Sequence, residues 1–563
     1  MHLKEISEKL KNITLKQSVI ALILITLVTH STYIFNEFTW LDHIDIEQQN
    51  AIKPITQIHQ AFLEPYSATH FYRPMITVIH SIDAMLYQQN AAGYHTTNLI
   101  LHTLVVTLIF FLITKLFKTT PIVALISSII FAIHPLHSLS VGAISYRTDL
   151  LATLFTLLTF IAYLNYSQHH KIKHLIFSGI LLFLGLCSKE TTILWFPVLI
   201  LSAHLATEYK FPKKYTKPIL TYGLALAIFI FPRSNALDQS WQFKYPSMTL
   251  SEHVGTRLAI LPTLLTYLIL PTQPPISDAT KIYPLTSFQA LIGLIILAIS
   301  IYITTKIYKN KSIRIPLIIG AATILPALNI LPLPRFISPH YLYFTAIAIS
   351  FLVVLLLKQP KHTKHIFVGL SIWIVIATIS TLNAGFRFKN DHTLFAPEVA
   401  KDPHFKEGQL YLGTYYSQKN EVEKAQKSYQ AILQTDPKVL AFADKLAARI
   451  NLANTYVKQQ NYQEAENTLR EALETIPPNS RPDIQYNLAL VLFTQKKFPA
   501  TITLIEENQL HKKIRPAAAL ILAESYIQTN QKQQAQTLLE DVQGEIKEYP
   551  YTQIYDTIKK QLQ

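Results

Sequence analysis

Up to about residue 383 the chain is a succession of apolar stretches long enough to cross a bilayer, joined by short polar loops; beyond that point the pattern stops. Lipid offers no hydrogen bonds, so an apolar stretch of this length satisfies its backbone there only as a helix. Residues 1–383 therefore read as an all-α, polytopic membrane body. The spans fall at about 18–35, 97–117, 121–137, 149–166, 173–187, 190–206, 216–232, 287–305, 312–331, 341–357 and 365–383, which makes eleven crossings. Leu258 to Leu270 is also apolar but short, interrupted by Pro262 and closed by Pro271, and reads as a re-entrant or interfacial segment.

The charges fix a sidedness. The net charge is +15, yet residues 1–383 hold 28 Lys+Arg against 14 Asp+Glu, while the remainder holds 22 against 21. The excess thus belongs to loop asymmetry in the membrane half and excludes nucleic acid as the partner it neutralises. With the N-terminus in the cytoplasm, Lys115/Lys118, Lys171/Lys173, Lys210/Lys213/Lys214/Lys217, Lys306/Lys309/Lys311/Arg314 and Lys358/Lys361/Lys364 all fall inside. Together with Lys4, Lys9, Lys11 and Lys16 that is 19 of the 28. The first apolar stretch then reads as a retained signal anchor. An odd number of crossings delivers the C-terminal part to the outer side. Cys187 has no second cysteine to pair with, so it says nothing of the redox compartment.

After 384–404, which reads as a linker, residues 405–563 repeat a pattern of Leu, a small neighbour, an aromatic and a later small residue. Its copies are Leu412-Gly413, Tyr416, Ala425; Leu452-Ala453, Tyr456, Ala465; Leu522-Ala523, Tyr526, Ala535; and a weaker Leu488-Ala489, Leu492, Thr501. Small residues at fixed offsets let paired helices approach closely, as in the tetratricopeptide repeat. About four units make a short α-solenoid, a surface for a protein partner.

The outer loops collect the polar residues that an apolar body does not need. They carry Asp42 and Asp45 after Trp40, Arg73, His95, His134 and His137, Arg147 and Asp149, Lys189 and Glu190, and Arg335 and His340. Cations from separate loops sharing a face with isolated carboxylates suit a phosphate leaving group and a proton acceptor for a hydroxyl. The histidine pairs His134/His137 and His169/His170 lack further ligands for zinc. Among 13 glycines there is no Gly-rich phosphate loop, which removes support for a nucleotide-driven transporter or kinase.

The order Tyr72-Arg73-Pro74, Gly93-Tyr94-His95 with Asn98 and His102, His134-Pro135-x-His137, Arg147-x-Asp149, Ser188-Lys189-Glu190-Thr191, Tyr341-Leu342-Tyr343 and then the repeats resembles the transmembrane and tetratricopeptide-repeat O-mannosyltransferases and their bacterial relatives. The resemblance implies a C-type glycosyltransferase that takes a sugar, mannose in the family, from a polyprenyl-phosphate donor and passes it to a protein hydroxyl. It implies Asp42 as general base with Asp45 as a substitute for a missing second acid. Arg73, Arg147, Lys189 and Arg335 or His340 would meet the phosphate, with His95, His134, His137, Asp149 and Glu190 shaping the pocket. The incomplete acidic pair argues against a metal-binding role, although the family pattern keeps a divalent metal as the one cofactor to consider. The expected location is a bacterial inner membrane with the repeats in the periplasm. A non-catalytic envelope scaffold and an O-antigen ligase or oligosaccharyltransferase are the alternatives.

Overall fold

The computed structural model describes residues 13–67, 71–206, 216–237, 248–330, 332–359, 363–434, 436–475, 481–514, 516–546 and 551–562. Of the charges used to set topology, Lys4, Lys9, Lys11, Lys210, Lys213, Lys214 and Lys361 lie outside the described residues. The chain divides into two compact units, one reaching Glu398 with Pro437–Ala441 added, the other Val399–Asp436 with Phe442–Gln563.

The first unit is helical and apolar, and the chain is a multi-pass membrane protein. Six helices have the length and hydropathy to cross: Ala91–Phe117, Ile144–His169, Thr216–Ala236, Phe288–Ile307, Lys311–Leu328 and His365–Arg387. Pro121–Ala132 and Pro135–Gly142 meet the same test together but are bent by 44° at their break, as in a broken span or a re-entrant loop. The stretches read as spans at 18–35, 173–187, 190–206 and 341–357 hold shorter apolar helices, Leu15–Thr29, Ile172–Leu186, Thr192–Leu205 and Ile347–Leu357. A 15-residue helix rises about 22 Å, less than the roughly 30 Å hydrocarbon core, and hydropathy lengthened three of these elements, all but 173–187. Ile144–His169 lies at the centre, with 78% of its apolar window buried, whereas Thr216–Ala236, Phe288–Ile307 and His365–Arg387 bury 11% and turn their apolar sides outward.

Leu258–Leu270 departs from the expected broken segment. It is the second half of one 20-residue helix, Leu250–Ile269, which a Thr249/Glu252 capping box starts inside a polar stretch that hydropathy passes over. Pro262 is accommodated inside it. The proline has no N–H for the Leu258 carbonyl, and that carbonyl instead meets the neighbouring helix, where a Cβ on Gly293 would stand 1.9 Å from it. Only glycine permits this approach. Sequence reading also passed over the helix Pro74–Tyr87, which proline opens at its first position. Within the same unit Thr280–Lys281 pairs antiparallel with Val439–Leu440.

Residues 384–404, read as a linker, hold the last turn of the helix Thr363–Arg387 and the helix Asp391–Lys401. The second unit then runs as helix pairs: Lys406–Gln418 with Val422–Leu433, Lys445–Lys458 with Tyr462–Thr475, Arg481–Thr494 with Phe498–Glu507, and Ala517–Gln528 with Lys532–Val542, followed by Tyr551–Leu562. Gly413 lies against the Tyr429 ring, and Ala425, Ala465, Thr501 and Ala535 are fully buried at the equivalent positions. Each hairpin turn places one residue in the left-handed region, Asn420, Gln460, Lys496 and Asn530, at φ of 60–62°. Asparagine tolerates this conformation, whereas Gln460 and Lys496 are strained by it. Gln460→Gly and Lys496→Gly are each expected to stabilise the repeats by about 0.5–1 kcal/mol, seen as a raised unfolding temperature.

Candidate active site

The loop after the first helix is shaped around Trp40, whose φ of 60° is strained for so large a side chain. Three contacts hold it there. Its N–H donates to Asp391 Oδ1 at 2.9 Å, and its ring packs on Tyr146 and Phe395, both with centroids 5.3 Å away. His43 follows, its Nδ1 2.5 Å from Glu47 Oε2 and its Nε2 3.0 Å from Asp391 Oδ2. With a carboxylate on each nitrogen it is an imidazolium, and the two acids outweigh its desolvation and push its pKa up to about 9.

The two aspartates of this loop have different surroundings. Asp42 is fully buried and accepts from the Thr39, Ile144 and Ser145 backbone N–H groups at 3.3, 3.3 and 2.8 Å, and from the Ser145 hydroxyl at 2.8 Å. Burial still pushes its carboxyl up to about 6. Four donors take up its lone pairs, so it fastens the loop to the start of the Ile144–His169 span. Asp45 accepts from the Tyr66 hydroxyl at 2.7 Å, and burial likewise raises its pKa, opposed in part by hydrogen bonds from Ser67, Tyr66 and Ser145 and by Arg73.

Arg73 stands at the start of the helix Pro74–Tyr87, and the Met75 N–H bonds to the Cys187 carbonyl at 3.1 Å. That bond brings the arginine to the Ser188–Glu190 turn. Arg73 contacts Glu190 at two points, Nη2–Oε1 at 3.1 Å and Nε–Oε2 at 3.4 Å; burial penalises the carboxylate, but Arg73, its own backbone N–H and Lys189 together outweigh that penalty, so its pKa falls to about 2. Lys189 Nζ lies 2.6 Å from Asp149 Oδ1, in the first turn of the helix Arg147–His169, and 5.8 Å from the Tyr341 ring centroid. His340, in the turn Pro339–Leu342, has Nδ1 2.6 Å from Ser338 Oγ and its ring 4.6 Å from that of Tyr146. Burial first, then the fields of Lys189, Arg335 and Arg73, hold it well below the usual imidazole pKa and hence neutral. The Arg335 guanidinium lies over the Trp40 and Tyr146 rings at 5.2 and 5.6 Å. Asp45, Arg73, Asp149, Lys189, Glu190, Arg335 and His340 thus form one electrostatically connected cluster.

The remaining expected site residues lie elsewhere. Arg147 is fully buried with every side of its guanidinium engaged: Nη1 on Asp83 Oδ2 at 2.6 Å, Nε on Asn98 Oδ1 at 3.0 Å, and Nη2 on the Tyr94 carbonyl at 3.2 Å. It braces three helices instead of presenting its charge to a phosphate. His95 reaches the Glu37 carbonyl at 3.3 Å. His134 Nε2 is 3.0 Å from the Leu268 carbonyl, and His137 packs among Phe131, His102 and Tyr343 in the interior. Asp83 and Tyr66 went unread in the sequence, although Asp83 had a signal: it is the one charge between Met75 and Leu86. Among the described residues no three His, Cys, Asp or Glu stand where they could hold a metal ion.

Below the Ser188–Glu190 turn runs a groove of about 480 Å³ between Ile172–Leu186, Thr192–Ala206 and Thr216–Ala236, lined by Leu182, Leu186, Ile193, Phe196, Ile200 and Leu226. Its wall is almost wholly apolar. Leu186 and Ile193, on either side of the Ser188–Glu190 turn in sequence, are among its lining residues.

Comparison with known proteins returns the family that the sequence resembles. A family profile described as dolichyl-phosphate-mannose-protein mannosyltransferase matches residues 71–234, which contain Arg73, Asp83, Arg147, Asp149, Lys189 and Glu190, and a tetratricopeptide-repeat profile matches residues 448–482. A protein O-mannosyl-transferase of Caenorhabditis elegans is 24% identical over 65% of this chain and 54% of its own length. Human protein O-mannosyl-transferases TMTC3 and TMTC2 are 28% and 27% identical over 27% and 37% of this chain and 17% and 27% of their own. The chain therefore spans about half the length of the first of these relatives and less of the others.

Proposed function

We propose that the chain is a glycosyltransferase that moves mannose from a polyprenyl-phosphate donor to a Ser or Thr hydroxyl of a protein on the extracytoplasmic face of a bacterial inner membrane. The single observation that carries this reading is the gathering of Arg73, Lys189 and Asp45 in one cluster, with Leu186 and Ile193 on either side of the Ser188–Glu190 turn lining an apolar groove. A lipid phosphate needs that pairing of cations and grease, and the relatives are named for mannosyl transfer to protein.

Asp45 serves as general base. It takes the proton of the acceptor hydroxyl as that oxygen bonds to the sugar's C1, while the bond from C1 to the phosphate oxygen breaks and its electron pair stays on the phosphate. Arg73 and Lys189, supported by Arg335 and an N–H of His340, neutralise the charge that gathers there. Asp149 orients Lys189. Asp42 holds the loop that carries Asp45. The repeats recruit the acceptor polypeptide, raising its concentration beside the membrane site.

Mass spectrometry of envelope proteins from a deletion strain checks the reaction. Loss of single hexoses from Ser and Thr is the expected result, loss of long glycans would indicate a ligase, and an unchanged glycan inventory would leave the scaffold.

A further inference from the structure

We propose that Glu190 is a built-in counter-anion that occupies the phosphate seat on Arg73 when no donor is bound and retakes that seat to release the spent lipid phosphate. This rests on the donor reading above. The two-point contact of Arg73 with Glu190 uses the planar fork that binds carboxylate and phosphate alike. The pair is unequal in access, with the Arg73 side chain 13% exposed and that of Glu190 36%. An anion entering the cluster therefore meets Glu190 first, and Glu190 is the member that can swing into water.

The neighbouring pair behaves differently. Lys189 and Asp149 are 7% and 1% exposed, so moving Asp149 off Lys189 would leave a carboxylate in the interior. Asp149 is a fixed counter-charge and Glu190 an exchangeable one. When Glu190 departs, Arg73 is not left uncompensated, since Asp149 also acts on it and it in turn acts on Asp45.

The exchange follows the charge of the ligand. A polyprenyl-phosphate sugar is a phosphodiester with one negative charge, about what Glu190 already supplies, so binding trades like for like. Breaking the bond to C1 turns it into a monoester carrying between one and two charges near neutral pH, which grips Arg73 harder. Product release then needs a competing anion on the spot, and Glu190 is placed to be one.

The experiment titrates farnesyl phosphate, a short polyprenyl monoester, into the full-length protein in detergent and follows binding by calorimetry for the wild type and for Glu190→Gln, Glu190→Ala, Glu190→Asp and Arg73→Gln. Wild-type binding is expected to tighten about tenfold in Glu190→Gln and Glu190→Ala, to change little in Glu190→Asp, and to be lost in Arg73→Gln. Equal or weaker binding by Glu190→Gln and Glu190→Ala, with Arg73→Gln still defective, would overturn the role of Glu190 and leave the donor reading standing. A wild type that does not bind farnesyl phosphate would remove both. Glu190→Asp keeps the charge within reach, so it separates loss of competition from general damage to the turn.

Discussion

Asp45→Asn is expected to lower sugar transfer by roughly 10²–10⁴-fold, the usual contribution of a positioned base, without unfolding the protein. Asparagine has nearly the same shape and can still accept from the Tyr66 hydroxyl that meets Asp45 at 2.7 Å, so the loop keeps its support while the proton acceptor is gone. Asp42→Asn should fail in another way. Three backbone N–H groups and the Ser145 hydroxyl converge on that carboxylate, and an amide would turn an NH₂ towards some of them. That variant is expected to lose thermal stability along with activity. Transfer from a lipid-linked donor to a peptide, measured beside the unfolding temperature of each variant, separates the two cases. Asp45→Asn with normal transfer would remove it as the base. The pH profile adds a second reading: a base works deprotonated, and burial raises Asp45, so the acid limb of activity should fall at a higher pH than an ordinary carboxylate gives.

The membrane body and the repeats were both legible in the sequence, because each rests on a periodicity that local residues enforce: long apolar runs in one, a small residue at fixed offsets in the other. Helix lengths were less so. The polar first turns of Leu250–Ile269 and the break between Ala132 and Pro135 depend on capping and packing, which a hydropathy window averages away. The candidate residues could be named from the sequence, yet their grouping was hidden. Arg73 and Glu190 are 117 positions apart and Arg147 and Asp83 are 64 apart, and the sequence holds no sign of which cation takes which acid. Asp42 and Asp45 look equivalent in a list of loop acids. What distinguishes them is the backbone: the Thr39, Ile144 and Ser145 N–H groups converge on Asp42, the last two from a segment about a hundred residues away, whereas Asp45 is met by hydroxyls.

The pairing of Arg147 with Asp83 gives the largest expected effect on stability. The side chains are 0% and 3% exposed, and a guanidinium at that depth depends on its counter-charge. Asp83→Ala removes that charge and leaves Arg147 with only the neutral oxygens of Asn98 and Tyr94, which should cost about 3–5 kcal/mol and appear as a large fall in unfolding temperature in detergent. Removing both charges together is a different case. Replacing a buried pair by apolar residues of similar volume is often neutral, so Asp83→Leu with Arg147→Met should recover most of what Asp83→Ala loses, and the double-mutant cycle should show strong coupling. The same double variant decides the role of Arg147. If the arginine is a brace, the refolded double variant keeps sugar transfer within a few-fold of wild type. If its charge met the donor phosphate, transfer would fall steeply in a protein that is otherwise stable, since no restored packing can replace a positive charge at a leaving group.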